Sequence, residues 1–126
     1  MEFRTPIGRA RGLGSAKEGT THWWAQRVTA VALVPLVLWF VVSVISMIGA
    51  DQVAMKAWIG HPITAVLLVL LIAATFHHGQ LGLQVVIEDY VHSEGTKIAL
   101  ILVVKALALI LALLGIFAVL KIAFGG

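Results

Sequence analysis

The sequence contains no cysteine, so the chain forms no disulfide and offers no thiolate to an iron–sulfur cluster. Any metal it binds must be held by His or carboxylate. Charge is scarce as well: Asp, Glu, Lys and Arg make up 12% of the residues, about half of the roughly 25% usual in a soluble domain. With 60% hydrophobic residues, that deficit excludes an ordinary soluble globular protein and points to an integral membrane protein. No Rossmann-type glycine motif is present, which argues against a flavin- or nicotinamide-binding domain. The first 20 residues lack the apolar core of a secretory signal peptide. There is no internal repeat, and 126 residues make one domain at most.

What is there divides cleanly along the chain. Residues 1–27 form a polar, basic N-terminal tail in which Trp23 and Trp24 are placed like interfacial aromatic anchors. An Arg-rich start also occurs in organelle transit peptides, but Glu2, Glu18 and the direct run into an apolar segment argue against one. The first span is predicted over 28–50, free of charge and long enough for a hydrocarbon core of about 30 Å. Pro35 within it calls only for a local kink. Residues 51–61 read as a short polar outer loop with Lys56 and Trp58, and 62–87 as a second span opened by Pro62, a good first-turn residue. An inner loop over 88–97 leads to a Leu/Ala-rich third span, 98–124, interrupted by Lys105 and with Lys121 near its end. The expected fold class is an all-α membrane protein with three transmembrane helices.

Orientation follows from the basic residues of the short flanks. Arg4, Arg9, Arg11, Lys17, Arg27 and Lys97 lie on one side, Lys56 and Lys121 on the other. Six against two places the N-terminus inside, the loop with Asp89 and Tyr90 inside, and the C-terminus outside.

Ionisable side chains within a span cost about 2.5–3.5 kcal/mol each at its centre, which makes them functional candidates by default. The stretch HHGQLGLQVVIEDY, 77–90, concentrates them. His78 and Asp89 are eleven residues apart, which returns them to nearly one helix face, about 16 Å apart along the axis. An imidazole at that depth is a candidate axial ligand of haem iron, or else a side chain hydrogen-bonded to a neighbouring helix. His77 is its direct rival, about 100° around the helix, and spacing does not choose between them. Gly79 and Gly82 suit close approach of a helix backbone or of a flat macrocycle. Arg27 either snorkels to headgroups or balances a buried anion such as a haem propionate. Asp89 and Tyr90 are ordinary for a helix end at the interface, yet they also suit a polar head at the membrane edge, with the phenol as donor and the carboxylate as proton relay. Lys105 is predicted to snorkel inward, and His22, His61 and His92 to lie near the interfaces without special roles. A six-coordinate haem needs a second deep ligand, which would have to come from another chain.

The pattern H-x3-G-x6-D-Y, met by His78, Gly82, Asp89 and Tyr90, together with the HWWAQRVTAVAL entry to the first span, resembles the small hydrophobic membrane-anchor subunit of succinate dehydrogenase, respiratory complex II. The resemblance covers essentially the whole chain. It implies that His78 is one axial ligand of haem b, the other coming from a companion cytochrome b anchor, so that the chain is half of a heterodimeric haem-binding bundle. It further implies Arg27 beside the haem propionates, Gly82 packed against the haem, and Tyr90 with Asp89 at the ubiquinone site. FAD and the iron–sulfur clusters would reside in partner flavoprotein and iron–sulfur subunits, with membrane lipid as the surroundings and no nucleic-acid partner. The chain itself would hold no catalytic residue. The implied location is the inner (cytoplasmic) membrane of a bacterium, as a multi-pass protein. Two other readings differ in class: the anchor of a related fumarate reductase, and a structural anchor without a redox group.

Overall fold

The structure, a computed structural model, describes residues 15–125. Arg4, Arg9 and Arg11 of the basic tail lie outside the described residues, as does the side chain of Lys17. Among the described residues there are four helices and no strand: α1 (Ser15–Ser46), α2 (Gln52–Gly60), α3 (Pro62–Tyr90) and α4 (Glu94–Ala123). Three segments, Gly19–Ser46, Pro62–Tyr90 and Glu94–Ala123, are long and apolar enough to cross a membrane. The chain is an all-α, multi-pass membrane protein.

Helix α1 starts well before the apolar run at Val28, so the polar residues up to Arg27 ride on the same helix as the span. Pro35 lies inside it and removes one backbone donor without ending the helix. The connection 51–61 carries a helix of its own, because Asp51 caps it: the Asp51 Oδ1 accepts the Ala54 amide at 2.8 Å. His61 then ends α2 and begins α3. Pro62 forces its backbone out of the helical region, to ψ 132°, and the His61 Nδ1 accepts the Ile63 amide at 3.3 Å.

The three long helices form a layer with α3 in the middle. Both α1 and α4 pack on α3 and not on each other, while α2 folds against the neighbouring ends of α3 and α4. Ala65, Leu68 and Val119 form a small buried core at the α2 end, extended by Trp39, Trp58 and Ile72. Trp39 of α1 stacks on Trp58 of α2, with ring centroids 6.0 Å apart and planes at 26°. Small residues let the helices close. A Cβ on Gly115 of α4 would sit 3.3 Å from Ile72 Cδ1, and one on Gly60 would sit 3.5 Å from the Ile122 carbonyl. Outside this core most of the large apolar side chains are exposed, as Val31 and Ile48 are at 73% and 80%. A layer this thin buries little of its own hydrophobic surface, so lipid or other membrane helices must cover both faces.

Candidate functional site

His78 is turned into the seam between α3 and α1. Its Nδ1 lies 3.0 Å from the hydroxyl of Thr29, across 49 positions of sequence. That hydroxyl also donates along its own helix, to the Ala25 carbonyl at 2.7 Å and the Gln26 carbonyl at 3.1 Å. The other ring nitrogen of His78 makes no hydrogen bond among the described residues. The imidazole lines an apolar groove of about 420 Å³ whose other walls are Ala30, Leu33, Val34, Val37 and Leu38 of α1. His78 is thus one polar ring in an otherwise hydrocarbon-walled groove, tied through one nitrogen only.

His77, one residue earlier, faces a different environment. Its Nδ1 is 3.3 Å from the Gln80 Nε2, and the Gln80 Oε1 accepts a hydrogen bond from the Lys105 ammonium at 3.0 Å. His77, Gln80, Gln84 and Glu88 lie three or four residues apart and so share one stripe of α3. Farther along it, Gln84 Nε2 donates to Glu88 Oε1 at 2.9 Å. With Lys105 from α4 and His22 from α1, the stripe borders a second groove of about 440 Å³. Lys105 is therefore not stretched toward the membrane surface, as its position in the sequence predicts. Its ammonium is held at the depth of Gln80, ten residues and about 15 Å from the Tyr90 end of α3. His22, read from sequence as an ordinary interfacial residue, is instead part of this groove wall, and its Nε2 is buried without a partner among the described residues.

The remaining candidates cluster toward the Tyr90 end. Arg27 precedes Val34 and Leu38 of the apolar groove by seven and eleven residues, so it lies on nearly their stripe of α1, about 10 Å from Val34 along the axis. Its guanidinium rests over the Trp23 ring, 4.9 Å from the centroid, a cation–π contact that holds it near the interface. Trp23 and Trp24 meet edge to face at 5.0 Å and are both well exposed, as an aromatic anchor requires. Asp89 and Tyr90 close α3, exposed and without a hydrogen-bond partner among the described residues, with Tyr90 at 79% exposure. Gly82 faces α1, where an added Cβ would meet only the Gln26 amide at 3.7 Å, an ordinary van der Waals distance. Gly79 has open space around it. Packing within the chain therefore demands glycine at neither position.

The structure thus brings His78 to α1 and separates it from His77. It leaves Arg27, Asp89 and Tyr90 as an exposed set nearer the Tyr90 end. Sequence reading missed Thr29 and Gln80, the side chains that hold the two imidazoles. The signal for Gln80 was the stripe of polar residues spaced at three and four through a hydrophobic span; for Thr29, one hydroxyl in an apolar run, there was none. Among the described residues no three His, Cys, Asp or Glu side chains gather to hold a metal ion. A donor set of one imidazole beside an apolar wall does fit a haem, whose porphyrin supplies four of the iron's ligands.

Comparison with known proteins identifies the family. The family profile described as "Succinate dehydrogenase/Fumarate reductase transmembrane subunit" matches residues 1–114. A succinate dehydrogenase hydrophobic membrane anchor subunit from Paracoccus denitrificans is 39% identical over 101 residues, covering 80% of this chain and 78% of the relative. The protein of the same name from Rickettsia bellii is 35% identical over 109 residues, covering 86% and 87%. A succinate dehydrogenase membrane anchor subunit from Reclinomonas americana is 32% identical over 98 residues, covering 74% and 80%. Three apolar helices, a basic entry to the first and likeness along most of the sequence converge on one conclusion: the chain belongs to the succinate dehydrogenase/fumarate reductase transmembrane subunit family.

Proposed function

We propose that the chain is the hydrophobic membrane anchor of a succinate:ubiquinone oxidoreductase, that His78 is one axial ligand of a haem b shared with a companion cytochrome b anchor, and that Asp89 and Tyr90 form part of the ubiquinone site. The observation that carries this reading is the environment of His78: an apolar groove, one ring nitrogen tied to Thr29 and the other unbonded. Family membership supplies the complex to which such a site belongs. A bound haem supplies a one-electron redox centre at that depth.

The chain's own groups do the rest. Arg27, near the stripe of the groove and toward the membrane surface, offers a fixed cation and a planar fork of donors to the propionates. Gly82 presents no side chain on the α3 face toward α1, where an added Cβ would meet only Gln26, and would pack against the macrocycle. At the rim, the Tyr90 phenol donates to the quinone oxygen as negative charge develops there, which stabilises the reduced head electrostatically. Asp89 beside it passes protons from the inner aqueous side. The Lys and Arg distribution puts this rim inside, the face on which flavoprotein and iron–sulfur subunits carrying FAD and clusters would dock, in the cytoplasmic membrane of a bacterium.

The test is spectroscopic. In the purified complex His78→Ala removes the low-spin b-haem absorbance, while His77→Ala leaves it in place. Retention in the first variant with loss in the second would reverse the assignment. A wild-type complex without haem absorbance would instead favour a structural anchor.

A further inference from the structure

We propose that the choice between the two adjacent histidines is made by their hydrogen-bond partners: Thr29 is a positioning residue that fixes His78 with Nε2 unprotonated, and the Gln80–Lys105 pair fixes His77 with Nε2 protonated. The inference rests on the reading of His78 as an axial ligand and adds the device that specifies it.

For His78, the decisive distance is on the far side of the threonine. The Thr29 hydroxyl has one proton, and it lies 2.7 Å from the Ala25 carbonyl oxygen, which can only accept. Two oxygens do not approach so closely through lone pairs alone, so the hydroxyl proton is between them. What Thr29 offers across the seam is then a lone pair, and the His78 Nδ1 at 3.0 Å must be the donor. A neutral imidazole carries one N–H, so Nε2 is left with its lone pair for iron. The acceptor is also rigid. Back-bonding to the preceding turn restrains χ1 of a β-branched side chain, and the turn belongs to a long helix.

For His77 the chain of reasoning starts at Lys105. An ammonium can only donate, so the Gln80 atom 3.0 Å from it is the amide oxygen, and the amide NH₂ is the end that faces His77. An NH₂ in turn only donates, so His77 Nδ1 accepts and its single proton sits on Nε2. One residue apart, the two imidazoles hold opposite tautomers, and the nitrogen that would reach a metal is open in His78 and blocked in His77. A hydrogen bond from the second nitrogen of an axial imidazole raises its basicity and favours ferric iron. Thr29 is therefore expected to act on the redox potential as well as on occupancy.

The experiment uses the purified complex with Thr29→Val, Thr29→Ala or Thr29→Ser in this chain, read by redox titration of the haem absorbance and by EPR of the oxidised low-spin haem. Valine and alanine remove the acceptor, so both raise the midpoint potential, shift the g values and weaken haem affinity by roughly 10–100-fold. Serine keeps the hydroxyl and matches the wild type. Valine, alanine and wild type alike in potential and g values would overturn the inference; so would serine shifting as far as valine, which marks a packing role. Alanine adds no bulk and decides the question should the valine complex fail to assemble. A wild-type complex with no low-spin haem would overturn the underlying reading, and this inference with it, and is told apart by the wild-type spectrum alone.

Discussion

The Lys105–Gln80 contact makes a prediction whose size can be worked out. Lys105 is eleven residues into α4, about 16 Å from its start along the axis, where an unpaired ammonium would cost up to about 2.5–3.5 kcal/mol in a membrane. Its contact with Gln80 Oε1 at 3.0 Å is to a neutral amide, and no carboxylate lies within ion-pair distance of it among the described residues. Polar contacts between membrane helices measure about 0.6 kcal/mol on average and about 1.7 at most, because the separated helices also find partners. Gln80→Leu should accordingly destabilise the α3–α4 packing by about 0.6–1.7 kcal/mol. Lys105→Met removes a charge together with its acceptor requirement, and should be neutral or stabilising. In the Lys105→Met background, Gln80→Leu should cost little, so the double-mutant cycle yields a coupling of about the same 0.6–1.7 kcal/mol. The assay is unfolding of the purified complex in increasing SDS, followed by tryptophan fluorescence. Additive single effects would refute the reasoning, and would mean that the ammonium finds its partner elsewhere, at the headgroups or on another protein of the complex.

Two further outcomes follow from the geometry. Tyr90→Phe should lower ubiquinone reduction about tenfold or more, the equivalent of the ~1.5–3 kcal/mol of a hydrogen bond to a charged oxygen. Succinate oxidation with a soluble artificial acceptor should persist, and equal loss of both activities would point to failed assembly instead. Asp51→Ala removes the cap of α2 and should cost about 0.5–2 kcal/mol locally, seen as faster hydrogen exchange at the Ala54 amide. Unchanged protection there would show that the Trp39–Trp58 stack, and not the cap, holds the helix.

The three long helices were legible because apolar runs of this length with so little charge have few other uses, and because polar loops separate them. Helix α2 was not, since nine residues with one capping Asp carry too little periodicity to distinguish a helix from a polar connection. The candidate site was legible only where it used unusual chemistry. His78, Arg27, Asp89 and Tyr90 stand out from an apolar background by being ionisable. Thr29 does not, because a threonine in a membrane helix ordinarily bonds its own preceding turn, and only the placement of α3 against α1 shows that its hydroxyl serves a second group. Lys105 was misjudged for a related reason. Snorkelling is the default for a lone lysine, and its displacement by Gln80 depends on a register between α3 and α4 that no local pattern encodes.

That register bears on how the site keeps its depth. In lipid the hydrophobic effect does not hold helix to helix, so close packing and polar contacts carry that task. Helix α3 is the middle of the layer and has a polar tie on each flank: His78 to Thr29 of α1, and, two residues on, Gln80 to Lys105 of α4. Positions 78 and 80 differ by about 200° around a helix and about 3 Å along it, so the ties oppose one another at nearly one depth. A slide of α3 against either neighbour would break one tie and leave a polar group in hydrocarbon. The two contacts that assign the tautomers of His78 and His77 are thus also the contacts that set the height of His78, and with it that of the Asp89–Tyr90 rim on the same helix, relative to α1 and α4.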